Sequence, residues 1–208
     1  MITVLDLGIC NIASVIGAFQ RIGVDTCRAE DASGVRSPTA LVLPGVGSFS
    51  DGMACLAERG LLQPISEAVA NKIPVLGICL GMQLFAEESE EHRITKGLGF
   101  IQGSVLRLRP KEAGERVPNI GWCDVEPCSG ARLFSVKSPE KAFYFVHSYF
   151  FQCNDQLDVA ATIHFGGNKI TAAIQKDNLF GVQFHPEKSQ NSGLQLLHNF
   201  VQFVYARR

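Results

Sequence analysis

The chain has 208 residues, 46% of them hydrophobic, and a formal net charge of −1 from 19 basic and 20 acidic side chains. This length supports one well-packed core, and the lack of a basic excess argues against a nucleic-acid-binding protein. Met1 to Asp6 is not a basic stretch leading into a signal-type apolar segment, and no uncharged apolar run is long enough to span a bilayer, so a single cytoplasmic domain over residues 1–208 is expected.

In chain order, Ile2 to Leu5 predicts a strand, Ile12 to Ile22 a helix, Ala40 to Leu43 a strand and Met53 to Ala70 one or two helices. Val75 to Ile78 predicts another strand, followed by a further helix. This βαβα order predicts a mainly parallel sheet. After Gly99 the pattern changes to β-like runs at Phe100 to Leu108, Lys141 to Phe151, Val159 to Phe165, Ile170 to Gln175 and Leu179 to Gln183. A mixed central sheet with added antiparallel strands fits this change. Pro110 to Pro118, rich in charge and carrying Gly114, predicts an exposed loop. Gly193 to Tyr205 places Leu194, Leu197, Phe200, Val201 and Val204 at helical spacing and predicts a closing helix.

The most informative segment is Gly77-Ile78-Cys79-Leu80-Gly81, which follows the apolar run Pro74-Val75-Leu76. A Gly-flanked cysteine between strand and helix reads as a nucleophile elbow, because the glycines remove side chains that would clash in a strained turn. A thiol attacks only as thiolate, a form that a helix N-terminus and a nearby histidine favour. Far downstream, Gly181-Val182-Gln183-Phe184-His185-Pro186-Glu187 supplies an imidazole and, two positions on, a carboxylate able to orient it. Cys79, His185 and Glu187 together suggest a catalytic triad. The plain alternatives are a buried structural cysteine, a histidine at a strand end and a surface carboxylate beside Lys188. The seven cysteines are scattered, odd in number and form no CxxC pair, which disfavours both a disulfide framework and a zinc site.

Acyl transfer also needs donors for a developing oxyanion. Pro44-Gly45-Val46-Gly47-Ser48-Phe49 follows a predicted strand, and its backbone N–H groups are candidates to converge with that of Leu80. The same pattern also suits a tight turn between strand and helix. It is not a phosphate loop, since no Gly-Lys-Ser/Thr follows and GxGxxG is absent. Gln83, one turn into the helix after the elbow, is positioned to aim its amide at a substrate, although an exposed helical Gln is common.

These residues resemble a known family. Gly77 to Leu84, Pro44 to Gly47 and Gln183 to Gln190 are similar to the signature of class I (triad) glutamine amidotransferases, and the resemblance covers nearly the whole chain. It implies an α/β fold of three layers, an open, mixed but mainly parallel sheet flanked by helices in the flavodoxin-like manner. Within the family, Asp6-x-Gly8-x-x-Asn11, Tyr144 to Tyr149 and Glu187 to Gln190 are similar to the HisH-type glutaminase subunits of imidazole glycerol phosphate synthases. The resemblance implies attack by Cys79 on the carboxamide of glutamine, with His185 protonating the departing ammonia and water hydrolysing the thioester. It places Gly45, Val46, Gly47, Leu80, Gln83, His147, Ser148 and Tyr149 around the glutamine. By periodicity alone, Tyr144 to Phe151 is a core strand.

The resemblance also implies a heterodimer with a HisF-type (β/α)8 synthase subunit that receives the ammonia for histidine biosynthesis and activates the glutaminase, with Asn11, Trp122 and Lys188 facing that partner. No cofactor or metal is implied. Leu7 stands where the family usually has Tyr, Cys10 where it has Gly, Asn119 where it has His, and Cys123-Asp124 where it has a polar pair. Such departures near the expected docking face keep open a second acceptor, such as a synthase that aminates surface-polysaccharide sugars. A stand-alone γ-glutamyl hydrolase needs an open cleft and no partner face. A catalytically dead scaffold is expected to have lost a triad member, and none is lost.

Overall fold

In the computed structural model, which describes residues 1–134 and 141–206, the first half alternates strand and helix. It runs β1 (Ile2–Leu5), α1 (Ile12–Arg21), β2 (Thr26–Ala29), β3 (Ala40–Gly45), α2 (Phe49–Glu58), α3 (Leu62–Ala70), β4 (Val75–Cys79) and α4 (Leu80–Gln83). Short strands β5 (Glu88–Ser89), β6 (Thr95–Lys96) and β7 (Gly103–Arg107) follow. After the exposed loop come β8 (Asn119–Asp124), β9 (Glu126–Pro127), β10 (Ala142–His147), β11 (Tyr149–Cys153), β12 (Val159–Phe165), β13 (Asn168–Lys176), β14 (Leu179–Val182) and α5 (Gln190–Ala206).

The central sheet has eight strands in the order β2-β1-β3-β4-β14-β13-β12-β9. From β2 to β14 every pairing is parallel, and from β14 to β9 every pairing is antiparallel. Strand alternation divides the core between its two faces. Ala40 and Val42 pack with Val15 and Phe19 of α1 and with Leu197 and Phe200 of α5. Leu41 and Leu43 pack with Leu56 of α2, Ile65 of α3, and Val105 and Phe151 of β7 and β11. The expected three-layer, mainly parallel arrangement is therefore present, with two small sheets added to it: the β8–β10 ribbon and the four-stranded sheet β11-β7-β5-β6.

Several expectations shift in detail. Met53 to Ala70 contains two helices, and the first begins earlier, at Phe49, because the Ser48 side chain caps it by accepting from the Asp51 N–H at 3.2 Å. The helix after the elbow is a single turn, Leu80–Gln83. The run Lys141 to Phe151 is not one strand. It breaks at Ser148, and its halves pair in different sheets, β10 with β8 and β11 with β7. Likewise, the Phe100 to Leu108 run contributes β7 to the small sheet rather than the central one. Strands β2, β5, β6 and β9 are short or polar and leave little trace in the sequence pattern.

Candidate active site

Three parallel strands end side by side. Gly45 at the end of β3 is in register with Cys79 at the end of β4, and Val182 at the end of β14 is in register with Ile78. Open α/β sheets bind ligands beyond the carboxyl ends of their strands. His185 stands three residues past β14 on that same edge, and so comes within interaction range of Cys79.

The elbow depends on its glycines. Cys79 has φ +55° and ψ −109°, a strained geometry for a residue with a side chain, costing about 1–3 kcal/mol. A Cβ on Gly81 would lie 1.7 Å from the Leu43 carbonyl oxygen, and one on Gly77 would lie 2.6 Å from the Gly81 oxygen. Both positions exclude any side chain, so the one-turn helix α4 can lie directly against β3 and β4. This fixes the Cys79 side chain at the helix N-terminus, with its residue 7% exposed.

His185 is held as firmly. The His185 N–H donates to the Tyr144 carbonyl at 2.9 Å, and Ser189 Oγ donates to the His185 carbonyl at 2.6 Å. Pro186 begins a short 3₁₀ turn, Pro186–Lys188, that returns Glu187 to the ring. His185 Nδ1 and Glu187 Oε1 are 2.8 Å apart, and both side chains are buried. Nδ1 must donate, because a carboxylate only accepts. His185 Nε2, on the other side of the ring, is buried without a hydrogen-bond partner, as is Glu187 Oε2. Burial alone would lower the pKa of His185, but interaction with the Cys79 thiol and the bond to Glu187 outweigh it and raise the value to about 9. The raised value favours the protonated ring. The ring attracts the Cys79 sulfur without forming a hydrogen bond to it in this geometry.

Burial, with Asp6 and Glu187 adding to it, pushes the Cys10 thiol up to about 11, and burial pushes that of Cys153 up to about 12. Neither is a competing nucleophile near neutral pH.

A cavity of about 320 Å³ opens beside Cys79, lined by Val46, Gly47, Leu80, Gln83, His147, Ser148 and Tyr149 among others. Seven of the eight residues expected around a glutamine therefore share one wall system with the cysteine. Gly45 does not. It lies beneath Leu80, whose Cβ would be 3.2 Å from a Cβ at that position, and lines a second pocket of about 30 Å³ with Cys10, Asn11, His185, Glu187 and Lys188. A larger open groove of about 800 Å³ lies elsewhere, against β7 and β12–β13, and contains none of the triad.

Two cavity residues are not free to bind a ligand as donors. His147 Nδ1 donates to the Tyr149 carbonyl at 2.8 Å, so Nε2 accepts from Asn119 Nδ2 at 3.1 Å and the ring is neutral. Burial holds its pKa down at about 4. Gln83 Nε2 donates to the Tyr149 carbonyl at 3.0 Å and to Gln183 Oε1 at 2.9 Å, which leaves its own Oε1 as the atom available to a ligand. Sequence reasoning missed Glu91, which lines the cavity while its Oε2 accepts from the Phe49 N–H at 2.7 Å. Its only signal was an acidic run, Glu87 to Glu91, in a segment without periodicity.

The residues expected to face a partner are contiguous. Asn11 and Lys188 are exposed and share the small pocket, Lys188 Nζ lies 5.9 Å over the Tyr144 ring, and Tyr144 meets Trp122 edge-on at 6.1 Å. Trp122 is 49% exposed and Ile120, two positions before it on the same face of β8, is 60% exposed. Of the departures from the family pattern, Leu7 is a buried core residue, and Asn119 and Cys123 bond each other on the inward face of β8.

The family described as glutamine amidotransferase class-I matches residues 4–203. The chain is 41% identical over 203 residues to the imidazole glycerol phosphate synthase subunit HisH of Chlorobaculum tepidum, covering 98% of this chain and 100% of that one. It is also 41% identical to the subunit HisH 1 of Campylobacter jejuni (strain RM1221), over 97% and 99% of the two chains. Its fold is similar to that of a crystal structure of a glutamine amidotransferase, with a TM-score of 0.73 at 19% identity over 98% of each chain. The structure of PurLQS from Thermotoga maritima matches with a TM-score of 0.72 at 17% identity, again over 98% of each chain.

Proposed function

The chain belongs to the class I glutamine amidotransferase family, and from that premise we propose that it is the glutaminase subunit of an imidazole glycerol phosphate synthase, working as one domain in a cytoplasmic heterodimer. The observation that carries the chemistry is the alignment of Cys79, His185 and Glu187 beyond three adjacent strand ends. Glutamine enters the cavity with its carboxamide carbon at Cys79. The Cys79 thiolate attacks that carbon, and the carboxamide oxygen becomes an oxyanion met by backbone N–H groups of Leu80 and the Val46–Gly47 segment. His185 gives its Nε2 proton to the nitrogen, the C–N bond breaks, and ammonia leaves a γ-glutamyl thioester. Neutral His185 then takes a proton from water, the hydroxide adds to the thioester, and glutamate departs as the Cys79 thiolate is restored. Glu187 stabilises the imidazolium and fixes its orientation. The Gln83 Oε1 acceptor suits the carboxamide NH₂, and the Glu91 carboxylate suits the α-ammonium group of glutamine.

The ammonia passes to a (β/α)8 synthase subunit of HisF type. Support for that partner is the contiguous face from Asn11 and Lys188 through Tyr144 to Trp122 and Ile120, which begins at the small pocket touching His185 and Glu187. Aromatic residues such as Trp122 and Tyr144 are enriched in interface cores. Three of the positions that depart from the family pattern, Leu7, Asn119 and Cys123, are turned inward, so they do not reshape this face. The test is Cys79→Ala in complex with the synthase subunit. Glutamine-dependent synthesis should vanish while synthesis from free ammonium persists, and loss of both would contradict the assignment.

A further inference from the structure

Gln183 has no place in a triad, yet it is fully buried and its amide nitrogen points at the nucleophile, with Nε2 3.7 Å from Cys79 Sγ. The direction of that amide is fixed by its neighbours. Gln183 Oε1 accepts from Gln83 Nε2 at 2.9 Å, so the atom turned towards sulfur must be the NH₂ donor. Gln83 is locked in turn, because its other N–H goes to the Tyr149 carbonyl, which also receives the Nδ1–H of His147. His147 is held from behind by Asn119 on β8. An unbroken set of bonds therefore runs from the inward face of the β8–β10 ribbon to the sulfur, and Gln183 Nε2 is the donor that ends it at Cys79. Burying an amide NH₂ against a thiol returns little for its desolvation, whereas against a thiolate it makes a charge-assisted hydrogen bond.

We propose that Gln183 is a positioning residue for Cys79, its carboxamide NH₂ holding the sulfur as thiolate and aiming it into the glutamine cavity. Gln183 does not touch glutamine and acts only through Cys79. The inference rests on Cys79 being the nucleophile. His185 supplies the positive charge and the proton, and Gln183 supplies a neutral donor that stays in place after the proton has gone to ammonia. The same donor receives the charge that returns to sulfur as the thiolate leaves during thioester hydrolysis.

The experiment compares the intact protein with Gln183→Met, which keeps length and removes the donor, and with Gln83→Met, which leaves Gln183 in place but unanchored. Two quantities are read: the pH dependence of iodoacetamide alkylation at Cys79, corrected with Cys79→Ala, and kcat and KM for glutamate release. With Gln183→Met, the alkylation midpoint should rise by about one pH unit and kcat should fall about tenfold, the size of one hydrogen bond to a charged group. KM should change little. Gln83→Met should move the midpoint in the same direction by less. An alkylation midpoint unmoved in either folded variant would overturn the proposal, because a purely structural role lowers thermal stability without shifting thiol ionisation. If Cys79→Ala itself still releases glutamate, the nucleophile assignment fails instead, and the two failures are distinguishable.

Discussion

His185 and Glu187, two residues apart in the chain, meet through Nδ1 and Oε1 at 2.8 Å with both side chains buried. The proline between them starts the turn that makes so short a loop possible, and α5 packs so tightly on it that a Cβ on Gly193 would lie 1.8 Å from the Pro186 oxygen. The Glu187 carboxylate is therefore fixed relative to the ring.

Replacing that carboxylate by an amide, Glu187→Gln, leaves the shape but removes the charge that stabilises the imidazolium. We expect kcat to fall by roughly 10²- to 10⁴-fold, less than for Cys79→Ala, since an orienting residue contributes less than the nucleophile. Steady-state glutamate release measures both. Equal losses would assign Glu187 a different role.

The pH dependence follows from His185. Its pKa in the folded protein, about 9, lies above the ordinary 6.5, so folding favours the protonated ring. The resulting stabilisation is complete below about 6.5 and is lost as pH rises through about 9. The proton needed by departing ammonia is lost over the same range. The expected result is a glutaminase rate that declines above about pH 9, with that decline displaced to lower pH in Glu187→Gln. A pH–rate series on both proteins checks it.

Gly81→Ala tests the elbow as architecture. The added methyl would meet the Leu43 carbonyl at 1.7 Å, which no rotamer relieves. A loss of stability of about 3 kcal/mol or more is expected from backbone overpacking, read as a lower urea midpoint. A midpoint unchanged from that of the intact protein would mean that α4 does not press on β3.

Trp122→Ala tests the docking face. A half-exposed tryptophan beside Tyr144 and Lys188 is the kind of residue that dominates association energy. Titration with the synthase subunit should show affinity reduced about tenfold or more, with little change in the thermal midpoint of the free chain. Undiminished affinity would place the partner elsewhere.

The parts of the fold that follow simple periodicity were legible in the sequence: the βαβα half, the hairpin of β12 and β13, and the closing helix. The grouping of Cys79, His185 and Glu187 was legible because each sits in a motif with its own steric logic, glycines around Cys79 and proline between His185 and Glu187. Strand β8 was not, since Asn119 to Asp124 alternates around a glycine and exposes Ile120 and Trp122, the reverse of a core strand. The break at Ser148 was hidden because Tyr144 to Phe151 is apolar on both sides of it, and only pairing partners distinguish β10 from β11. The side chains lining the cavity beside Cys79 were named by resemblance, but the direction of their bonds was not. That Gln83 and His147 spend their donors on Tyr149 and Gln183 depends on contacts up to 100 residues apart in sequence.

Everything proposed for this chain turns on Cys79 releasing ammonia from glutamine for a partner synthase. The decisive experiment is glutamate release by the purified chain, by itself and then with a HisF-type subunit carrying its nucleotide ligand, each repeated with Cys79→Ala. Slow release by the chain by itself, strong stimulation in the complex and none from the Cys79→Ala protein under either condition are expected. Release that the partner leaves unchanged, or that survives Cys79→Ala, would overturn this assignment.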